Sequence, residues 1–141
     1  MGKRRDGREA AVQYLFQCDA HSASPGKLEG DFWELRPSTQ NVRDFGEAII
    51  KGVLANKAEI DERIQKYTVN YELHRIAGVD RNILRVAIYE MLFCNDVPPI
   101  VAINEAIEIA KRYGAEESGR FVNGILDRVK HELTRPSRTT N

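Results

Sequence analysis

The chain has 141 residues, 42% of them hydrophobic and 30% charged, and its 21 basic and 21 acidic side chains leave a formal net charge of zero. That length predicts one domain with a core of its own, independent of disulfides or structural metal. The charge balance excludes a protein that coats nucleic acid through bulk charge, but not one with a local basic patch.

In chain order, Ala11, Leu15 and Cys18 fall at i, i+4, i+7, with Val12 and Phe16 beside them, and predict a first helix from about Arg4 to Asp19. The polar stretch from His21 to Gly30 predicts a loop. Phe32, Trp33 and Leu35 are placed to cover the core before Pro37. A second helix follows, N-capped by Ser38 or Asn41, with the stripe Val42, Phe45, Ile49, Val53. Ile60, Ile64 and Tyr67 predict a third, shorter one. After a break from Thr68 to Gly78, Asp80 is placed to N-cap the most apolar helix, whose stripe of Ile83, Leu84, Ala87, Ile88, Met91 and Leu92 is wide enough for burial on most sides. Pro98 and Pro99 end it. Val101, Ala102, Ala106, Ile109, Ala110 and Tyr113 mark the next helix, with Gly114 as its C′ residue. Glu116 and Glu117 are expected in the first turn of the last helix, with Phe121, Val122, Ile125, Leu126 and Val129 as its core face. The i, i+4 pattern runs through Asn123-Gly124, so Gly124 is expected at a close helix crossing, at a propensity cost of ~1 kcal/mol. The polar tail from Thr134 to Asn141 predicts disorder. The fold class is all-α.

Cys18 and Cys94 form no CxxC pair, and the three histidines complete no zinc pattern, so two buried, reduced thiols and no metal are expected. The opening Met-Gly-Lys-Arg-Arg-Asp is followed by no apolar stretch like that of a secretory signal. No run approaches the ~20 apolar residues of a membrane span, and a soluble, cytoplasmic protein is expected.

Lys3, Arg4, Arg5 and Arg8 lie within six residues at the head of an amphipathic helix, with Arg4 and Arg8 on one face. Such a cluster can hold RNA phosphates, because guanidinium groups offer forked donors and keep their charge; Asp6 and Glu9 dilute it. Arg120 and Phe121, side by side near a helix start, could hold a phosphate and stack a base. Phe121 equally fits core packing, and Phe16 carries the same ambiguity. Asp80, Arg81, Arg85 and Glu90 sit on the buried helix, so they either form an internal network, with Glu90 or Glu105, or face a partner. Glu105 and Glu108 lack the Glu-x-x-His spacing of di-iron bundles, His21, His74 and His131 are scattered, and there is no phosphate-cradling glycine loop. No catalytic constellation and no cofactor site are expected.

Four blocks of the chain resemble the NusB transcription antitermination factor family. Arg8-Glu9-Ala10-Ala11-Val12-Gln13-Tyr14-Leu15-Phe16, preceded by Arg4-Arg5, is similar to the family's opening helix, and Asp80-Arg81-Asn82-Ile83-Leu84-Arg85-Val86-Ala87-Ile88-Tyr89-Glu90 to its central one. Val97-Pro98 with Val101-Ala102-Ile103-Asn104-Glu105-Ala106-Ile107-Glu108-Ile109-Ala110-Lys111 resembles the next. Gly114-Ala115-Glu116-Glu117-Ser118 with Phe121-Val122-Asn123-Gly124-Ile125-Leu126-Asp127 closes the match. Asp6-Gly7 stands where the family often has a fuller arginine run, which implies a thinner RNA contact there. Residues 20–40 match nothing distinctive.

The resemblance implies about six or seven helices in two packed subdomains, forming one domain over 1–133. It implies a non-enzymatic protein that binds boxA-type single-stranded leader RNA as a heterodimer with the small-ribosomal-subunit protein also called NusE. With other Nus factors and RNA polymerase the pair would suppress termination, notably in ribosomal RNA operons. By motif position Lys3, Arg4, Arg5, Arg8, Gln13 and Phe16 would face RNA, with Glu117, Arg120 and Phe121 at or beside the same surface. The two groups would form one site if the first and last helices pack side by side. Asp80, Arg81 and Arg85 would lie toward the protein partner. The rival readings are a helical module that binds only protein, or itself as a homodimer, and the helical part of an RNA cytosine methyltransferase, for whose cofactor domain the chain has no room.

Overall fold

The helical period of the apolar residues carries through to the tertiary structure, since each stripe is the face its helix buries. The computed structural model describes residues 2–21, 31–70 and 72–139, with the backbone alone for His21 and residues 134–139. Among the described residues are seven α-helices: α1 (Lys3–His21), α2 (31–35), α3 (Gln40–Ala55), α4 (Lys57–Lys66), α5 (Gly78–Phe93), α6 (Pro99–Tyr113) and α7 (Ser118–Thr139). A 3-10 turn, Leu73–Arg75, precedes α5, and no strand is present among these residues. The loop expected from His21 to Gly30 falls on 22–30, outside the described residues; so do residues 140–141 and the side chains of the tail expected to be disordered.

Helix α5 is the centre. It packs against α1, α3, α4, α6 and α7. Ile83, Leu84, Val86, Ala87 and Ile88 are all at most 3% exposed, and each large aliphatic buried this way stabilises the fold by roughly 1.5–3 kcal/mol. Phe32 and Trp33 are buried as expected, and Tyr14, Phe32 and Trp33 make a run of edge-to-face contacts at 5.4 and 5.0 Å. Leu35, expected beside them, is instead 87% exposed.

Several helix ends differ from the sequence reading. Thr39, not Ser38 or Asn41, caps α3, its hydroxyl accepting from the Val42 N–H at 3.3 Å. Helix α5 starts earlier than Asp80, because the Arg81 N–H already reaches the Ala77 carbonyl at 2.8 Å. Asp80 therefore sits in the first turn, where the helix dipole favours an acid. Glu116 and Glu117 precede α7, and it is the Ser118 hydroxyl that accepts from the Ala115 N–H at 2.8 Å. Gly114 ends α6 as its cap residue at φ −93°, with no left-handed backbone.

The charged residues of α5 form an internal network. Arg85, with its side chain 4% exposed, donates to Asp19 at 2.7 Å and Asn82 at 2.9 Å, and grips Asp61 through Nε at 2.8 Å and Nη2 at 3.1 Å. Arg81 donates to Asp19 at 3.1 Å and to the carbonyls of Leu73 and Ile76. The partners are thus Asp19 on α1 and Asp61 on α4, not Glu90 or Glu105. Burial acts to raise the Asp19 carboxyl's pKa. Arg85, the Asn82 amide and Arg81 overcome this and hold it below its ordinary value. On α7, Glu132 accepts from Arg63, Lys66 and Tyr67 and fastens α4 to the last helix.

The close helix crossing is at Gly7 and Gly46, not at Gly124. A Cβ on Gly7 would lie 2.6 Å from the Phe45 ring and 3.3 Å from backbone of α3, and one on Gly46 3.1 Å from the Gly7 carbonyl. Gly124 is exposed, with nothing within 4 Å. Gly7→Ala is therefore expected to lower the melting temperature, because α1 and α3 must separate. Gly124→Ala should raise stability by up to about 1 kcal/mol through helix propensity alone. Thermal melts of the two variants check the assignment, and the opposite ranking would refute it. A depressed native pKa for Asp19 means that its contribution is present above the unfolded value of about 3.9 and is lost as pH falls through the native one. Asp19→Asn should accordingly melt well below wild type at pH 7, with the gap closing below about pH 4. A gap independent of pH would exclude the ion-pair account.

Candidate nucleic-acid interface

The basic cluster of α1 divides into buried, structural charges and exposed ones. Arg8 is buried, 4% exposed, and its guanidinium makes a two-pronged contact with Glu90 of α5 at 2.7 and 2.9 Å. Arg5 does the same with Glu105 of α6, at 2.8 Å on both prongs. That hydrogen bond, with the Arg5 charge behind it, holds the Glu105 carboxyl below its usual pKa against the effect of burial. Arg8 was expected to face RNA, and the structure corrects this: α5 and α6 carry acids opposite the inner face of α1, and a buried guanidinium must be paired. Arg5, half-buried and held on both prongs, is likewise directed inward. Lys3 and Arg4 remain exposed. Arg4 has only Asp96 nearby, at 3.9 Å, and lies 5.5 Å from the centre of the Phe45 ring, over which Arg8 also sits at 5.4 Å.

Along α1, Asp6, Glu9, Gln13 and Phe16 follow at i, i+3, i+7, i+10 and share one face. Gln13 accepts from Arg36 at 2.7 Å. The Phe16 ring is 40% exposed and lies against Gly78, where an added Cβ would come within 2.8 Å of it. It lines a mostly apolar groove of about 450 Å³ with Phe32, Leu35, Val79 and Tyr113. The ambiguity over Phe16 resolves toward the surface.

Arg120 and Phe121 part company, since neighbours on a helix point about 100° apart. Arg120 is exposed, pairs with Glu117 at 3.4 Å, and lines a cleft with Ile107, Lys111 and Asn123. Phe121 is half-buried against the core and lines a smaller cleft of about 250 Å³ with Arg75, Ala77, Asp80 and Glu117. Asp80 is 9% exposed, and its Oδ1 is buried without a hydrogen-bond partner. Arg81 and Arg85, expected toward a partner, are turned inward onto Asp19 and Asp61 as described above.

The first and last helices do not pack side by side as the one-site expectation required: α1 lies on α3 and α5, and α7 on α6 and α5. The surfaces meet instead at the first turn of α5. Val79 borders the groove that holds Phe16, and its neighbour Asp80 borders the cleft that holds Phe121. The sequence reading missed Val79, Arg36, Arg75 and Tyr113 at these sites. Only Tyr113 carried a signal there, as the last member of an apolar stripe ending at a glycine.

Among the described residues no three His, Cys, Asp or Glu side chains group to hold a metal ion. Cys18 and Cys94 are unpaired and half-buried, less enclosed than expected, and burial pushes both thiols up in pKa. No helix among the described residues is long and apolar enough to cross a membrane.

Comparison with known proteins agrees with this architecture. The NusB family profile matches residues 5–131. The transcription antitermination protein NusB of Sorangium cellulosum is 44% identical over 138 residues, covering 98% of this chain and 99% of the relative. A solved NusB of T. maritima is 41% identical, with a TM-score of 0.80 over 94% of this chain and 92% of that one. A crystal structure of antitermination factors NusB and NusE in complex with double-stranded RNA contains a chain 25% identical, with a TM-score of 0.82 over 92% of this chain and 96% of that one. The chain belongs to the NusB family and is a transcription antitermination factor, not an enzyme.

Proposed function

We propose that this protein binds boxA-type single-stranded leader RNA as a heterodimer with NusE, in the cytoplasm, and with other Nus factors helps RNA polymerase read through terminators, notably in ribosomal RNA operons. The observation that carries this reading is the surface that continues from Phe16 across the first turn of α5 to Phe121, with Lys3 and Arg4 exposed at the head of α1. The related NusB–NusE complex with RNA supports both partners.

Each residue has a role that follows from its surroundings. Lys3 and Arg4 contact phosphates. Phe16 and Phe121 offer ring faces to bases, and Gln13, Glu117 and Arg120 offer polar edges nearby. Arg5 and Arg8 act through position, fixing the rotation of α1. Asp80, the one member of its charged group with an unpaired buried oxygen, faces the protein partner, while Arg81 and Arg85 brace the turn that carries it. No bond is made or broken. Affinity comes partly from released counterions and falls with salt. The partner adds contacts of its own, so the pair binds more tightly than either protein alone.

The test is binding of a fluorescent boxA-type RNA, a scrambled RNA and a duplex, each with and without NusE. Preference for the boxA strand, strengthened by NusE, is the expected result. Equal, weak binding to all three that salt abolishes would overturn it in favour of a module that binds only protein or a second copy of itself. Within that assay, Lys3→Ala and Arg4→Ala should each weaken binding to every RNA and reduce the salt slope by about one, with the melting temperature unchanged. Arg8→Ala should instead lose roughly 3–5 kcal/mol of stability, because it strands the Glu90 carboxylate in the core. A fully stable Arg8→Ala that fails to bind RNA would return Arg8 to the interface.

A further inference from the structure

Beside α1, between the basic N-terminus and Phe16, lies an open polar cleft of about 620 Å³ that includes Asp6, Gln13, Arg36, Arg112 and Tyr113. Its side chains are held ready. Arg36 is fixed by donating through Nε to Gln13 at 2.7 Å and through Nη1 to Ser38 at 3.0 Å, which leaves Nη2 without a partner among the described residues. Because Gln13 accepts through its oxygen, its amide N–H groups remain available. The Tyr113 hydroxyl donates to Glu9 at 3.1 Å, and the Arg112 guanidinium lies 5.4 Å from the ring centre with its side chain 63% exposed. Asp6 is half-buried, and among the described residues its carboxylate makes no hydrogen bond or ion pair.

We propose that this cleft reads a single unstacked guanine of the bound RNA, with Asp6 and Arg36 on its Watson–Crick edge and the Tyr113–Arg112 pair as its stacking platform. The inference rests on the RNA-binding function proposed above and adds a position of base specificity to it. Two acids, Asp6 and Glu9, balance the two guanidinium groups, so the cleft has no excess charge to hold a phosphate. What it offers is a set of donors and acceptors beside an exposed flat surface, which suits a base edge. The order of groups selects the base. Guanine alone presents two adjacent N–H donors, N1 and N2, that a carboxylate accepts together, beside an O6 acceptor for a guanidinium or amide N–H. Adenine, cytosine and uracil have no such adjacent pair on that edge. Asp6, which breaks the run of arginines, is thereby a specificity residue rather than a gap in the basic cluster.

The experiment uses the full chain with NusE and a series of boxA-type RNAs in which each guanine in turn is replaced by inosine, which lacks only the N2 amine. At one position inosine should weaken wild-type binding roughly tenfold, the worth of one well-made base contact. Asp6→Asn should keep the wild-type melting temperature and bind the guanine and inosine RNAs of that position alike, at the wild-type inosine level. If Asp6→Asn discriminates at every position as wild type does, the guanine cleft is refuted while the RNA-binding function stands. If Asp6→Asn loosens the NusE complex without RNA, the cleft is a protein contact and the inference is likewise refuted. If wild type does not distinguish boxA-type from scrambled RNA, both readings fall.

Discussion

The orientation of α1 depends on one buried ion pair, Arg8 with Glu90. Two charges at 4% and 1% exposure, joined by two hydrogen bonds, tolerate little displacement, because any slip leaves both desolvated and unpaired. The pair registers α1 against α5, and Arg5 with Glu105 extends the same registration to α6. On its other side the helix meets α3 through glycine against glycine, at Gly7 and Gly46, which admits the two backbones at close range. Fixed on both sides, α1 can present only one face to solvent, and that face carries Asp6, Gln13 and Phe16.

This arrangement also explains how a chain of zero net charge could bind RNA in the way proposed above. Much of its positive charge is spent internally: Arg5, Arg8, Arg81 and Arg85 each meet a carboxylate on another helix. The cationic surface that remains near the interface is small, so charge alone gives little affinity or selectivity. In the proposed reading, rings, polar edges and a protein partner supply the rest, which fits a surface made of Phe16, Tyr113 and Phe121 around a helix start.

The first turn of α5 joins the two halves. The Asp19–Arg81–Arg85–Asp61 network holds it from behind, and Arg81 also secures the carbonyls of the preceding turn. Val79 and Asp80 thereby border two adjoining clefts, one lined by Phe16 and Tyr113 and one by Arg75, Glu117 and Phe121. A protein partner and an RNA strand could meet at such a junction, and the bracing beneath it is what keeps the two surfaces in fixed relation.

The sequence by itself determined the class of fold, the central place of α5 and the stripes that face the core, because burial follows a local period of 3.6 residues that is visible along the chain. It also marked Phe16, Phe121 and the basic N-terminus as candidates. Only the tertiary structure decided which arginines are free. Arg4 and Arg8 look alike in the sequence, and what separates them is Glu90, 82 residues further on. The same holds for Gly7 and Gly124, whose roles at a crossing depend on which helix lies opposite, and for Arg120 and Phe121, whose adjacency hides different directions. Pairing across helices is a long-range property: a local pattern states which face of a helix turns inward, while the group that meets it there comes from a distant part of the chain.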